Sequence, residues 1–159
     1  TTCLAMDRKA DQLAAGGADG SIRFAGVKSA NVDDKKVIEA HEGEVKALTF
    51  DGRGKRIVSA GQDGLLRVWK VSNGRSELEI PLAAAARVLA CDPKGRWVAV
   101  GDTEGCVRLY ELNKGELVAT LAESSGVSCG GVAFLDSGKT LAAARDRHLR
   151  LWDLGAADL

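Results

Sequence analysis

The stretch His41–Val71, HEGEVKALTFDGRGKRIVSAGQDGLLRVWKV, decides how the rest of the chain is read. It holds two apolar, β-prone runs, Val45–Phe50 and Arg56–Ala60, each followed by a turn rich in Gly and Asp. A third run, Leu65–Val71, alternates inward and outward residues and carries Trp69 near its end. Gly and Asp at 51–54 and 61–64 supply the backbone conformations that tight antiparallel turns require. Three short strands joined by such turns make a meander, not a βαβ unit. A lone meander cannot bury both faces, so further layers must stack on it.

The rest of the chain supplies them by repetition. Aligned on the Arg that follows each D-G-type turn, ADGSIRF carries Arg23, QDGLLRVW Arg67, TEGCVRLY Arg108 and RDRHLRLW Arg150. The intervals are 44, 41 and 42 residues, within the period of about 40–45 expected for four-stranded propeller blades. Unit one has strands at Thr1–Asp7, Gln12–Ala15 and Ser21–Val27, followed by a polar connection at Asn31–Lys36. Val37–Glu39 leads into the central unit. Unit three contains Leu78–Leu82, Arg87–Cys91, Trp97–Val100 and Cys106–Leu112, with Ala83–Ala86 as loop. Unit four contains Glu116–Leu121, Gly131–Leu135, Thr140–Ala144 and His148–Leu154, with a small-residue loop at Glu123–Gly130. The expected blades therefore span about 1–27 (partial), 36–71, 77–112 and 116–154. The fold class is all-β.

Composition narrows the function. The chain has 159 residues, enough for a real core, and 22 basic residues balance 22 acidic ones. That balance argues against direct nucleic-acid binding, which favours a basic excess. Cys3, Cys91, Cys106 and Cys129 form no C-x-x-C pair and lie in or beside apolar runs, so they read as reduced, mostly buried thiols. His41 and His148 are near no cysteine, which leaves no zinc-ligand pattern. No apolar run approaches the roughly 20 residues of a membrane span, and no signal-peptide pattern is present. An intracellular protein, cytoplasmic or nuclear, is expected.

In these residues the chain resembles the WD-repeat β-propeller family over nearly its whole length. The W-D dipeptide stands once, at Trp152-Asp153, with Trp69-Lys70 and Tyr110-Glu111 in the corresponding places. The resemblance implies a structural hydrogen-bond network of His, Ser/Thr, Asp and Trp, matched in full only by His41, Ser59, Asp63 and Trp69. Its chemistry is self-consistent. A turn carboxylate orients an imidazole, whose other nitrogen meets a hydroxyl that accepts the indole N–H. The same His-Ser-Asp set evokes a catalytic triad, but Ser59 lies within an apolar strand without a nucleophile elbow. Unit three has Val100, Glu104 and Tyr110 instead, unit four Asp146 and Trp152, and unit one only Asp19; those blades are expected to be less rigidly pinned. Arg23, Arg67, Arg108 and Arg150 are expected to pack their stems outward and hold their charges in water rather than form a ligand ring. His148 and Lys35-Lys36 read as solvated.

The resemblance further implies four consecutive WD-type blades belonging to a larger ring of about seven. The chain starts at Thr1, without an initiator Met, and unit one lacks a leading strand, which favours a segment of a longer propeller. The implied role is a non-catalytic scaffold, a subunit of a larger assembly, with other proteins or peptides as partners and no cofactor or metal. The remaining blades, or a second copy, are further partners. Glu42, Glu44, Gln62, Thr103 and Arg145 fall on the implied partner face. The alternatives are a subunit of an RNA-containing machine (ribosome assembly or splicing) or a propeller enzyme with a central-channel site. A basic face would favour the first and convergent polar groups at the channel the second.

Overall fold

Short apolar-rich runs, broken every few residues by glycine-bearing turns, form fifteen strands among the described residues, none of these parallel to its neighbour. The computed structural model describes residues 1–9, 11–27, 32–145 and 147–155, with the backbone alone at 32–35. The first sheet holds β1 (Cys3–Met6), β2 (Gln12–Gly16), β3 (Ser21–Gly26) and β4 (Val32–Glu39) in that order. The second holds β5 (Val45–Phe50), β6 (Arg56–Gly61), β7 (Leu65–Lys70) and β8 (Ser76–Pro81). The third holds β9 (Ala86–Cys91), β10 (Trp97–Asp102), β11 (Val107–Glu111) and β12 (Leu117–Ala122). In the fourth, β13 (Gly131–Leu135), β14 (Thr140–Arg145) and β15 (His148–Asp153) make three strands among the described residues. Of the expected loop Ala83–Ala86, residues 83–85 are loop and Ala86 opens β9.

The first strands of the sheets lie side by side, β1 against β5, β5 against β9 and β9 against β13. Residues of all four, including Cys3, Leu48, Leu89 and Val132, line one shared cavity. The sheets are thus successive blades around a common axis, and three apolar cores fill the spaces between neighbours. Ile22, Phe24, Val45, Ile57 and Trp69 pack between sheets one and two. Val58, Leu66, Val98 and Tyr110 fill the next space, and Ala99, Leu109, Leu141 and Trp152 the third. Each full burial of a Leu, Ile or Val contributes about 1.5–3 kcal/mol.

Sheets and sequence repeats differ in phase by one strand. Val37–Glu39, expected to open the second unit, is the end of β4, where Ile38 pairs with Ile22 and Glu39 with Ser21 in sheet one. Likewise β12, from the fourth unit, pairs with β11 of sheet three, Arg108 opposite Thr120. The observed sheets therefore run 3–39, 45–81, 86–122 and 131–153. Sheet one is complete, whereas a partial unit was expected there. Sheet four, expected to have four strands, has three because its leading segment serves its neighbour. The expected connection at 31–36 also differs. From Val32 onward it belongs to β4, whose ladder jumps from Arg23↔Val37 to Phe24↔Asp33 across a bulge. A bulge leaves residues unpaired without ending the strand, and Lys36 uses it to set its ammonium 4.7 Å from the centre of the Phe24 ring.

Candidate functional site

At one end of every sheet lie the second-to-third-strand turn and the loop that enters the next sheet. In sheet two the Gly61–Gly64 turn places Asp63, whose Oδ1 accepts from the Leu65 amide at 3.2 Å. The same oxygen is 3.0 Å from His41 Nδ1. His41 Nε2 lies 2.7 Å from Ser59 Oγ, and Trp69 Nε1–H donates to that hydroxyl at 2.9 Å. The proton arrangement follows from the ends. The carboxylate fixes the proton on Nδ1, Nε2 accepts from Ser59, and Ser59 accepts from the indole. Glycine at 61 is required, because a Cβ there would stand 2.3 Å from His41 Nδ1. Outside the sheet, the His41 amide donates to Gly20 O at 3.0 Å, tying the network to the equivalent turn of sheet one.

Burial lowers the His41 pKa from its ordinary value, so the ring is neutral. Burial alone would raise the Asp63 carboxyl, but hydrogen bonds from Arg67, the Leu65 amide and His41 hold it below the usual range. The Ser59 hydroxyl is completely buried and engaged on both sides. A nucleophile must meet its substrate; this one is sealed between an indole and an imidazole.

Two of the recurrent arginines, Arg67 and Arg108, depart from expectation, while Arg23 and Arg150 are exposed. Arg23 pairs with Asp19 at 2.7 Å, Arg67 with Asp63 at 2.7 Å, and Arg108 with Asp102 at 2.6 Å. Arg67 also donates to Ala40 O at 2.8 Å and to Glu79 at 2.7 Å. The Arg67 and Arg108 guanidiniums do not trail in water, whereas the Arg23–Asp19 pair is about half exposed. Each folds back onto its own turn, because the carboxylate sits within reach along the hairpin; Arg67 and Arg108 side chains are only 16% and 20% exposed. Arg150 is exposed. In sheet three the turn carboxylate is Asp102, not Glu104. Asp102 is buried and accepts from the Glu104 and Cys106 amides at 3.0 and 2.8 Å. The register sets Ser59, Val100, Ala15 and Ala143 opposite Arg67, Arg108, Arg23 and Arg150, which puts Asp102 at the position of Gly61 and Glu104 at that of Asp63, so Asp102 reaches the arginine from a different place in the turn. Asp146 lies outside the described residues.

Of the residues expected on the partner face, Glu42, Gln62 and Thr103 are exposed and Glu44 is half-buried. Glu44 and Gln62 meet through the Gln62 amide, which donates to Glu44 O at 2.8 Å. The Thr103 amide donates to Ala85 O at 3.0 Å. Arg145 differs from the others. It is buried, and its Nη1 donates to Glu123 O at 3.0 Å. The thiols of Cys3, Cys91, Cys106 and Cys129 are free, and His148 is exposed.

Sequence reasoning missed a second set at the opposite end. Asp7, Asp51 and Asp92 each take the backbone amides four and five residues ahead, closing the first turn of their sheets. Asp136 occupies the matching turn of sheet four, and the repeat spacing of the four aspartates was the available signal. Arg56 adds a clasp between sheets, binding Asp51 Oδ2 at 3.3 Å, Asn113 Oδ1 at 3.1 Å and Gly95 O at 2.5 Å.

Comparison with known proteins places these observations. The family described as "WD domain, G-beta repeat" matches residues 33–70 and 115–153. The p21-activated protein kinase-interacting protein 1-like of Danio rerio is 30% identical over 89% of this chain. The guanine nucleotide-binding protein subunit beta of Saccharomyces cerevisiae is 29% identical over 80% of it. Periodic tryptophan protein 2 of the same yeast is 29% identical over 75%. The chain spans 37%, 31% and 13% of the length of these relatives. Among the described residues no helix is long and apolar enough to cross a membrane.

Proposed function

Because this chain is a WD-repeat protein, we propose that it is a non-catalytic scaffold of an intracellular assembly, docking proteins or peptides on the end that carries Glu42, Gln62 and Thr103. One observation carries this reading: that end is built from turns exposed at their tips, and in sheet two the turn is held from beneath by the buried, bonded set of His41, Ser59, Asp63 and Trp69. Rigid support beneath exposed polar side chains suits recognition, since little ordering is lost on binding. Two relatives carry names of the same kind, one kinase-interacting and one a subunit of a larger protein. Glu44 extends the surface beside Gln62, and Arg145 braces it from within.

The test is affinity capture with chemical cross-linking, comparing the wild-type chain with Glu42→Lys/Gln62→Arg/Thr103→Arg and with Lys114→Glu at the opposite end. Cross-linked partners should disappear with the triple variant and persist with Lys114→Glu. Equal recovery in both, or no specific partner at all, would overturn the reading.

A further inference from the structure

The balance of 22 basic and 22 acidic residues holds for the whole chain and hides a separation between its ends. At the end away from the partner face, the first turn of every sheet starts with an aspartate and runs on into cations. Asp7 leads to Arg8 and Lys9, Asp51 to Arg53 and Lys55, Asp92 to Lys94, and Asp136 to Lys139. All six of these cationic side chains are exposed. The aspartates before them do little to neutralise them. Asp7, Asp51 and Asp92 are buried, and one oxygen of each accepts two amides of its own turn. Asp136 is exposed and accepts from the Thr140 hydroxyl at 3.3 Å, and Asp11 is half-buried. Among the described residues no ion pair joins any of the six cations to a carboxylate. Exposed Glu42, Glu104 and Glu123 stand at the other end.

The four turns form one continuous arc. Gly52 lies so close to the third turn that a Cβ on it would stand 2.0 Å from Pro93 O. A Cβ on Gly54 would be 3.4 Å from Asp7 Oδ2, and one on Gly138 3.4 Å from Pro93 Cδ. Turn one thus meets turn two, turn two meets turn three, and turn three meets turn four. Between the first two, Arg8, Lys9 and Arg53 line a cleft together with Asp7, Gly52 and Gly54. The turns carry no large apolar side chain and no aromatic one.

We propose that this arc binds a single-stranded nucleic acid through its phosphates, without reading its bases. Charge repeated along a polymer backbone matches cations repeated from turn to turn. A membrane surface or an amphipathic peptide would need apolar contacts that the arc does not offer. Bases find no aromatic platform there, so the contact falls to the phosphates. Because the sheets surround a common axis, the arc curves. A flexible strand follows that curve, whereas a DNA duplex is stiff over about 50 nm. The surface is separate from the partner face, so either reading can fail while the other stands.

The probe is a fluorescein-labelled oligouridylate titrated with the full chain by anisotropy. Unlabelled RNA duplex, polyglutamate and phosphatidylserine vesicles serve as competitors. Log affinity should fall with log salt, with a slope of about 0.7 for each phosphate contacted. Arg53→Ser/Lys94→Ser removes two contacts, so the slope should flatten by about 1.4. Affinity at about 50 mM salt should then drop on the order of 10–100-fold. Arg53→Lys/Lys94→Arg keeps both charges and should bind as the wild type does. Both variants should keep the wild-type thermal midpoint, because the substituted side chains are exposed. The proposal is overturned by undetectable binding, by affinity indifferent to salt, or by equal affinity in the serine variant. The same loss in the charge-preserving variant, or a lower midpoint in the serine variant alone, overturns it as well. So does a duplex, polyglutamate or vesicles competing as well as unlabelled oligouridylate.

Discussion

Removing one oxygen from the centre of sheet two isolates the contribution of the buried network. In Ser59→Ala the Trp69 indole N–H and the His41 Nε2 lose their shared partner, now 2.9 and 2.7 Å away. Neither can turn to water, because the His41 side chain has no exposed surface and Trp69 is 7% exposed. A buried polar group left unpaired costs about 1–3 kcal/mol. Two such groups, partly relieved by local adjustment, give a destabilisation of about 2–4 kcal/mol. For a chain of this size that is a fall of roughly 5–15 °C in the melting midpoint. Urea unfolding followed by tryptophan fluorescence measures it directly. A cycle with Trp69→Phe separates the indole bond, for which the coupling should be about 1 kcal/mol. A loss under about 0.5 kcal/mol, or strict additivity with Trp69→Phe, would refute the claim that the hydroxyl links the two rings.

Two further outcomes follow from the geometry. Arg56→Ala should cost about 2–3 kcal/mol, because it frees Gly95 O and Asp51 Oδ2 together. Arg56→Lys should recover little, since an ammonium lacks the planar fork; hydrogen exchange at the junction of sheets two and three reads both. Stability should also depend on pH through His41. Burial lowers its pKa below the ordinary 6.5, so the unfolded chain binds the proton more readily. The contribution is fully present above about pH 6.5 and is lost as pH falls through the depressed folded value. Asp63, also lowered, adds a loss of the same sign further into acid. Melting midpoints from pH 7 downward should fall for the wild type and flatten above the carboxylate range for His41→Gln.

The strands and the His41–Ser59–Asp63–Trp69 network were legible because both are written as local period: alternation within a run, and fixed spacing between runs. The sheet boundaries were not, since a strand at the head of a repeat can pair forward or back, and only the ladder of Ile38 with Ile22 decides. Asp102 was missed because position in a turn was matched by spacing, and Glu104 sits where Asp63 does in sequence while Asp102 takes its bonds in space. Arg67 and Arg108 were misjudged for a related reason. A strand residue can point outward and still curl back to a carboxylate in its own hairpin, and periodicity carries no information about that second step. Arg56 was out of reach altogether, because Asn113 is far from it in sequence and no repeat positions one against the other.

The one-strand offset between repeat and sheet also bears on how such a chain changes length over generations. Duplicating a unit of about 42 residues would not insert a free-standing sheet between two others. It would hand an outer strand to the preceding sheet and three strands to a new one, so each addition arrives already hydrogen-bonded to its predecessor. Ile38 on Ile22 and Thr120 opposite Arg108 are such seams. A genetic event cut at the repeat boundary thus preserves continuity of the ladder, and growth or loss by whole units is the kind of change this architecture tolerates.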